Sequence, residues 1–307
     1  MKKILFMMLS LLAFVAIGCS NKNDDYELSV IAPSGAPGIA LADMVKNNSD
    51  DYSFEINKTA DVLKTAFATK EADVIIAPVN LGAIQYKANE TYVLASVITW
   101  GNLYFASQKE NFSINDLNNS DVLLFGSGTI NYVIVDYILK QKNIVITNET
   151  APLPSTKETT AQLISNPNAI CLVAEPSLST AKSKKANINS ISVQELYKEI
   201  TGTNSYPQAG CFVNINTINE HKSVIDEFLN KLEKSCAKCS NNVEEIAAYA
   251  EELELGGKKE VLVNAIPNSN ISYVKAENVK LDLEKVVAIN SKLFGGANPT
   301  DEFYYKK

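Results

Sequence analysis

The sequence predicts an α/β protein of two lobes, each a mostly parallel sheet flanked by helices, joined by two hinge crossings. Two observations predict it. Short apolar runs alternate with amphipathic stretches, the pattern of βαβ units. That pattern occurs twice in series, and a late apolar run, "QAGCFVNIN" (208–216), reads as a strand returning to the first series. The chain of 307 residues is long enough for two domains, and 46% hydrophobic residues suffice for a sizeable core.

The elements follow in order. Residues 1–18 read as a signal peptide: Lys2 and Lys3 precede an apolar stretch, Ile4 to Ile17, too short for a comfortable membrane span. Ala16-Ile17-Gly18-Cys19 places small residues before a cysteine, so Cys19 is the expected lipidation site and 19–25 a polar tether. "ELSVIAP" (27–33) is the first strand and "PGIALADMVKN" (37–47) the first helix. "YSFEIN" with "DVLKTAFATK", and "ADVIIAP" with "NLGAIQYKAN", repeat the pair. "YVLASVIT" (92–99) and "LYFASQ" (103–108) flank Trp100, Gly101 and Asn102, the first expected crossing.

The second series starts with "DVLLFGSGTINYVIVDYILKQK" (121–142), a strand, a Gly-rich turn and a helix. Helices are expected over 156–165 and 176–185 with a strand, "AICLVAEP", between them. No element is assigned over 186–207. The return crossing is expected near 208–213, and the remainder reads as helices at 217–235, 242–254, 258–265 and 282–294 with one extended piece at 271–276. This divides the mature chain into lobe I, 26–100 with 211–307, and lobe II, 101–210.

Charge narrows the partners. Every basic residue is Lys, and the net charge of −7 becomes −9 once residues 1–18, with two Lys and no acid, are removed. A chain without Arg lacks the guanidinium clamp for phosphate and base edges, and an acidic one is repelled by nucleic acid. Nucleic acid is therefore excluded as a partner.

The unusual turns fall where open α/β sheets bind ligands, beyond the carboxyl ends of strands. Ser34-Gly35-Ala36 follows the first strand, Pro78-Val79-Asn80 the third, Gly126-Ser127-Gly128-Thr129 the first strand of the second series, and Glu175-Pro176 a later one. Capping explains each hydroxyl or amide singly; four such loops facing one interlobe cleft point to a small-molecule site. "GSGT" lacks the Lys of a phosphate loop. His221, in a polar helix start, reads as solvent-facing. The C-A-K-C of Cys236 and Cys239 has no second pair for zinc, and Cys171 and Cys211 read as buried thiols. No metal or cofactor is expected. Some of Trp100, Tyr104, Tyr132 and Tyr206 are candidates to stack on ligand.

The lipobox-like junction, "APSGAP", "KEADVIIAPVNLGA", "SVITWGNLYFAS", "AICLVAEPS" and "GGANPTDEFYY" together resemble extracytoplasmic solute-binding proteins of ABC transporters. The similarity is to the group associated with nitrate, sulfonate, taurine and thiamine-precursor uptake, and spans essentially the whole mature chain. The resemblance implies a periplasmic-binding-protein type II fold that closes on ligand by hinge motion. It implies ligand contacts at Ser34, Gly35, Ala36, Asn80, Trp100, Asn102, Ser127, Gly128, Thr129 and Glu175. It implies a monomer lipid-anchored to a bacterial membrane that hands its solute to a permease and ATPase. An extracytoplasmic sensor or enzyme on the same fold is the alternative, but the cleft loops hold no nucleophile, base or metal cluster. Those loops also carry no Lys, so Glu175 leans the expected ligand toward an amino-heterocycle or zwitterion.

Overall fold

The computed structural model describes residues 26–48, 50–56, 59–147 and 149–307. The expected signal peptide and tether, with Cys19, lie outside these residues.

The chain begins with β1 (Leu28–Ile31), α1 (Ala36–Ala40), α2 (Ala42–Asn47), β2 (Tyr52–Glu55), α3 (Ala60–Thr69), β3 (Val74–Pro78), α4 (Val79–Asn89) and β4 (Tyr92–Trp100). It crosses into lobe II with β5 (Leu103–Ser107), β6 (Val122–Leu123), α5 (Ile130–Gln141), α6 (Thr156–Ser165), β7 (Ile170–Ala174), α7 (Ser177–Lys184), β8 (Asn189–Ser192) and α8 (Val193–Thr201). It returns as β9 (Pro207–Asn214), followed by α9 (Ile215–Glu220), α10 (Lys222–Asn241), α11 (Val243–Glu252), α12 (Lys259–Ala265), β10 (Ile271–Lys275) and α13 (Lys280–Ile289).

Lobe I holds a six-stranded sheet, β10-β4-β9-β3-β1-β2, and lobe II a four-stranded sheet, β6-β7-β5-β8. Both sheets are mixed rather than mostly parallel, which corrects that part of the expected fold. Among the strands of the described residues, β1 with β2, β1 with β3 and β6 with β7 pair in parallel, and the other pairs are antiparallel. The crossings explain this. β4 leaves lobe I and β9 re-enters it beside β4, so the two must run in opposite directions, with Trp100 opposite Pro207 and Tyr92 opposite Asn214. β9 starts at Pro207, so the return crossing lies earlier than the expected 208–213.

β3 shows why the central strands read as unbroken apolar runs. Val74 and Ile76 face a core built with α1, α2, α10 and α11, while Ile75 and Ala77 face the opposite core with Phe212 and Phe303. A strand buried on both faces cannot alternate with polar residues. The second core continues through Leu103 and Tyr206 into lobe II.

β8 and α8 fill 189–201, where the sequence reading assigns no element. β8 is a polar, half-exposed strand at the sheet edge, "NSIS", and gives no apolar signal. α8 does carry one: Val193, Leu196 and Tyr197 are buried at helical spacing, behind a Ser192 cap that accepts from Glu195 N. Near 221 the expected helix is two, broken at His221. That residue is half-buried rather than solvent-facing, stacked on Tyr26 with ring centroids 3.8 Å apart. Cys171, Cys211, Cys236 and Cys239 are buried and free.

The two crossings are held together. Gly101 N donates to Tyr206 O at 3.1 Å, and Asn270 Nδ2 donates to Gly101 O at 2.9 Å and Ser205 Oγ at 3.2 Å. Gly101 must be glycine, because a Cβ there would lie 2.3 Å from the fully buried Tyr206 ring. Among the described residues no helix is long and apolar enough to cross a membrane.

Candidate functional site

The ends of the two sheets meet at the crossings. β1 and β3 end there, β9 and β5 begin there, and β6 and β7 end there from the other side. Between them lies a cleft of about 660 Å³, a volume suited to a small molecule.

Lobe I lines it with the turn after β1, Pro33 to Pro37, with Pro78 and Ala209, and with Glu254, Leu255 and Gly256 between α11 and α12. Gly35 sits at φ 76°, in the left-handed region that glycine enters without strain, and is the residue before α1. Ser34 is exposed, and its hydroxyl caps no helix. The capping account of Ser34 therefore does not hold here.

Lobe II lines it with three helix N-termini: Thr129 to Asn131 of α5, Ser155 to Lys157 of α6, and Pro176 and Ser177 of α7. Thr129 Oγ1 accepts from Tyr132 N and donates to Gly126 O at 2.6 Å, which closes the Gly-rich turn onto the helix. Ser155 Oγ accepts from Lys157 N at 3.2 Å and donates to the Glu158 carboxylate. Thr156 Oγ1 accepts from Ala174 N at 3.0 Å and so ties the start of α6 to the end of β7. The hydroxyls are largely occupied by the fold. The first-turn N–H groups that these caps do not take up carry partial positive charge and are the groups a ligand can use.

Of the residues expected at the site, Ser34, Gly35, Ala36, Asn102, Thr129 and Glu175 come together on the cleft. Four others lie off it. Asn80 is buried at the start of α4, with no hydrogen-bond partner for Oδ1. Ser127 and Gly128 are at the exposed tip of their turn. Trp100 donates from Nε1 to Ser272 O at 3.1 Å and lines a separate hollow behind the crossings. Tyr104, Tyr132 and Tyr206 are likewise absent from the lining, and Phe125 is its one aromatic ring.

Glu175 lies on the cleft, but its carboxylate is turned to α7. Oε2 accepts from Ser179 N at 3.1 Å and Oε1 from Ser179 Oγ at 2.9 Å. Burial pushes the Glu175 carboxyl above its ordinary value, and the two Ser179 bonds oppose that shift only in part. Its backbone pairs with the first crossing: Glu175 N donates to Asn102 O at 3.2 Å, and Asn102 Nδ2 donates to Glu175 O at 3.3 Å. Glu175 thus has a structural task that opposes its use as a ligand's counter-ion.

The lining also holds residues the sequence reading missed: Phe125, Asn131, Ser155, Thr156, Lys157, Gln208 and the 254–256 loop. Lys157 corrects the expectation of a cleft without Lys. It follows residues 149–155, which reach the cleft where Leu153 forms a parallel bridge with Phe125. The signal that could have found it is the Ser155…Glu158 capping pair, which marks a helix start as a ready anion site. Among the described residues, Lys157, Glu175 and Glu254 are the charged ones of the lining, and none there is His or Cys. Among the described residues no group of three His, Cys, Asp or Glu is placed to hold a metal.

The sequence matches no protein-family model and no curated protein. Its structure is similar to solved ones. An ABC transporter protein from Parabacteroides distasonis aligns at TM-score 0.77 and 20% identity, covering 92% of this chain and 99% of that one. The periplasmic aliphatic sulphonate binding protein SsuA of Escherichia coli aligns at TM-score 0.67 and 12% identity, covering 91% and 92%. A Candida albicans protein described as having the generic periplasmic binding protein fold aligns at TM-score 0.57 and 12% identity, covering 91% and 93%. The chain therefore has the periplasmic-binding-protein fold.

Proposed function

We propose that the protein is an extracytoplasmic solute-binding protein, lipid-anchored through Cys19, that captures a small molecule between its lobes and delivers it as a monomer to an ABC transporter permease and its ATPase. The observation that carries this reading is the cleft of about 660 Å³ walled by strand-end loops of both lobes across two short crossings. Such a site can enclose a solute by rotation at the crossings. The similar structures are an ABC transporter protein from Parabacteroides and a periplasmic sulphonate binding protein from Escherichia coli, which supports the same assignment.

The ligand this cleft suits carries an anionic group toward lobe II. Three helix N-termini and Lys157 gather there, while the Glu175 carboxylate is engaged with Ser179. Glu254 on the facing lobe could meet a cationic group, so a small zwitterion fits both walls. A sulphonate is one such anionic group, and the Escherichia coli protein binds aliphatic sulphonates. The test is a thermal-shift panel of small sulfonates, carboxylates, zwitterions and amino-heterocycles. A solute at 100 times its dissociation constant adds about 2.7 kcal/mol of stability. The expected hits are anions or zwitterions; hits confined to uncharged or cationic amines would overturn the ligand class.

A further inference from the structure

We infer that Gly256 sets how far the two lobes close, and through that the size of solute the cleft accepts. The inference builds on the solute-binding reading above. It starts from α12, whose segment belongs to lobe I by packing and reaches lobe II at both ends.

Leu255, Leu262 and Ile266 are at most 2% exposed and sit in the lobe I core with α10 and α11. Leu255 N donates to Ala250 O at 2.8 Å, so the loop is pinned to the end of α11. From that root the segment crosses the cleft. α12 packs against α7 of lobe II, and just beyond α12 the Tyr104 hydroxyl of β5 donates to Asn268 O at 3.1 Å. At the cleft itself, Gln208 Nε2 of β9 donates to Asn131 Oδ1 of α5 at 3.1 Å.

At Gly256 the backbone of lobe I stands against Pro176 of lobe II. A Cβ built there would lie 2.6 Å from Pro176 Cγ, closer than two such carbons can stand. Pro176 is no flexible tip that could swing aside, because its ring is fused to the backbone at the start of α7. The turn does not itself demand glycine at this position, since the Gly256 backbone lies outside the left-handed region; Gly257, at φ +146°, takes that part. A Cβ at Gly257 would make only an ordinary contact, 3.7 Å from Thr180 Oγ1. The missing side chain at 256 is therefore needed by the partner lobe and not by the loop. Closure of the cleft ends where Gly256 meets Pro176, and any side chain at 256 stops the lobes earlier.

The test reads closure without a solute. Asn131→Cys and Gln208→Cys, whose native side chains meet across the cleft, are introduced together in the full chain and bridged with a short thiol-reactive crosslinker. The native described cysteines are buried, and burial pushes the Cys171 and Cys239 thiols up to about 12, so the new pair reacts first. Bridging should be slower with Gly256→Ala added and slower again with Gly256→Val. Circular dichroism and a cooperative melt establish that each variant is folded; if Gly256→Val is not, Gly256→Ala decides alone. Folded variants that bridge at the unsubstituted rate would overturn the role of Gly256. A failed solute panel would leave this result unchanged, and the reverse also holds, so the two readings fail separately.

Discussion

The two walls of the cleft are made of different materials. Lobe I contributes Pro33, Ser34, Gly35, Ala36, Pro37 and Pro78, a surface of small residues and fixed backbone whose only charge comes from Glu254 on a separate loop. Lobe II contributes three helix N-termini, Lys157, and Glu175 with its carboxylate held by Ser179. The lobe I turn can admit a ligand closely but has few groups with which to choose it. The lobe II wall concentrates positive potential, since the amides of a first helical turn and a nearby cation reinforce each other. On the proposed reading, shape falls to one lobe and charge recognition to the other.

The largest expected effect breaks that assignment at Lys157. A hydrogen bond to a charged group is worth about 1.5–3 kcal/mol, so Lys157→Ala should weaken an anionic or zwitterionic panel hit roughly tenfold to a hundredfold. Because Lys157 is exposed and makes no ion pair among the described residues, the melting temperature without solute should stay near that of the parent. An unchanged affinity, or a large loss of stability, would remove Lys157 from the wall.

A smaller effect belongs to Thr129, the cap of α5. Thr129→Ala removes the acceptor for Tyr132 N and the donor to Gly126 O. Loss of an N-cap costs about 1 kcal/mol, which for a protein of this size lowers the melting temperature by roughly 2–4 °C. An affinity loss far above what that loosening accounts for would show that the Thr129 hydroxyl also contacts solute.

Glu175 sharpens the comparison through pH. Burial raises its carboxyl above the ordinary 4.5, so the folded protein holds that proton more tightly than the unfolded chain does. Its contribution to stability is complete below the ordinary value and is lost as pH climbs through the raised one. Glu175→Gln cannot ionise, so its melting temperature should gain on the parent's as pH rises above 4.5. A difference constant with pH would contradict this. Affinity for solute should change little, because both carboxylate oxygens already serve Ser179.

The alternating order of strands and helices was legible because buried strands and amphipathic helices leave periodic signatures. "ADVIIAP" and "AICLVAEP" became β3 and β7, and the turns that follow both reach the cleft. Strand direction was not legible in the same way. Whether β9 runs with or against its neighbours depends on which lobe the chain is returning from, and no local pattern records that. Site residues beyond strand ends were missed for a related reason. Lys157 is brought in by one bridge between Phe125 and Leu153, and Gly256 by a loop near the far end of the sequence. Glu175 was visible as a cleft residue, but the direction of its carboxylate depends on Ser179, one helical turn later.

The most direct test is a calorimetric titration of the best panel hit into the parent, Lys157→Ala and Ser34→Ala. Ser34 shares the cleft but belongs to the lobe I wall, and its hydroxyl caps no helix, so its removal isolates that wall's contribution. The account predicts that Ser34→Ala binds within about threefold of the parent, as expected for a neutral hydrogen bond worth at most a fraction of a charged one. Lys157→Ala should lose at least about ten times its affinity in the same experiment. Equal losses in both variants, or a greater loss in Ser34→Ala, would contradict the assignment of charge recognition to lobe II.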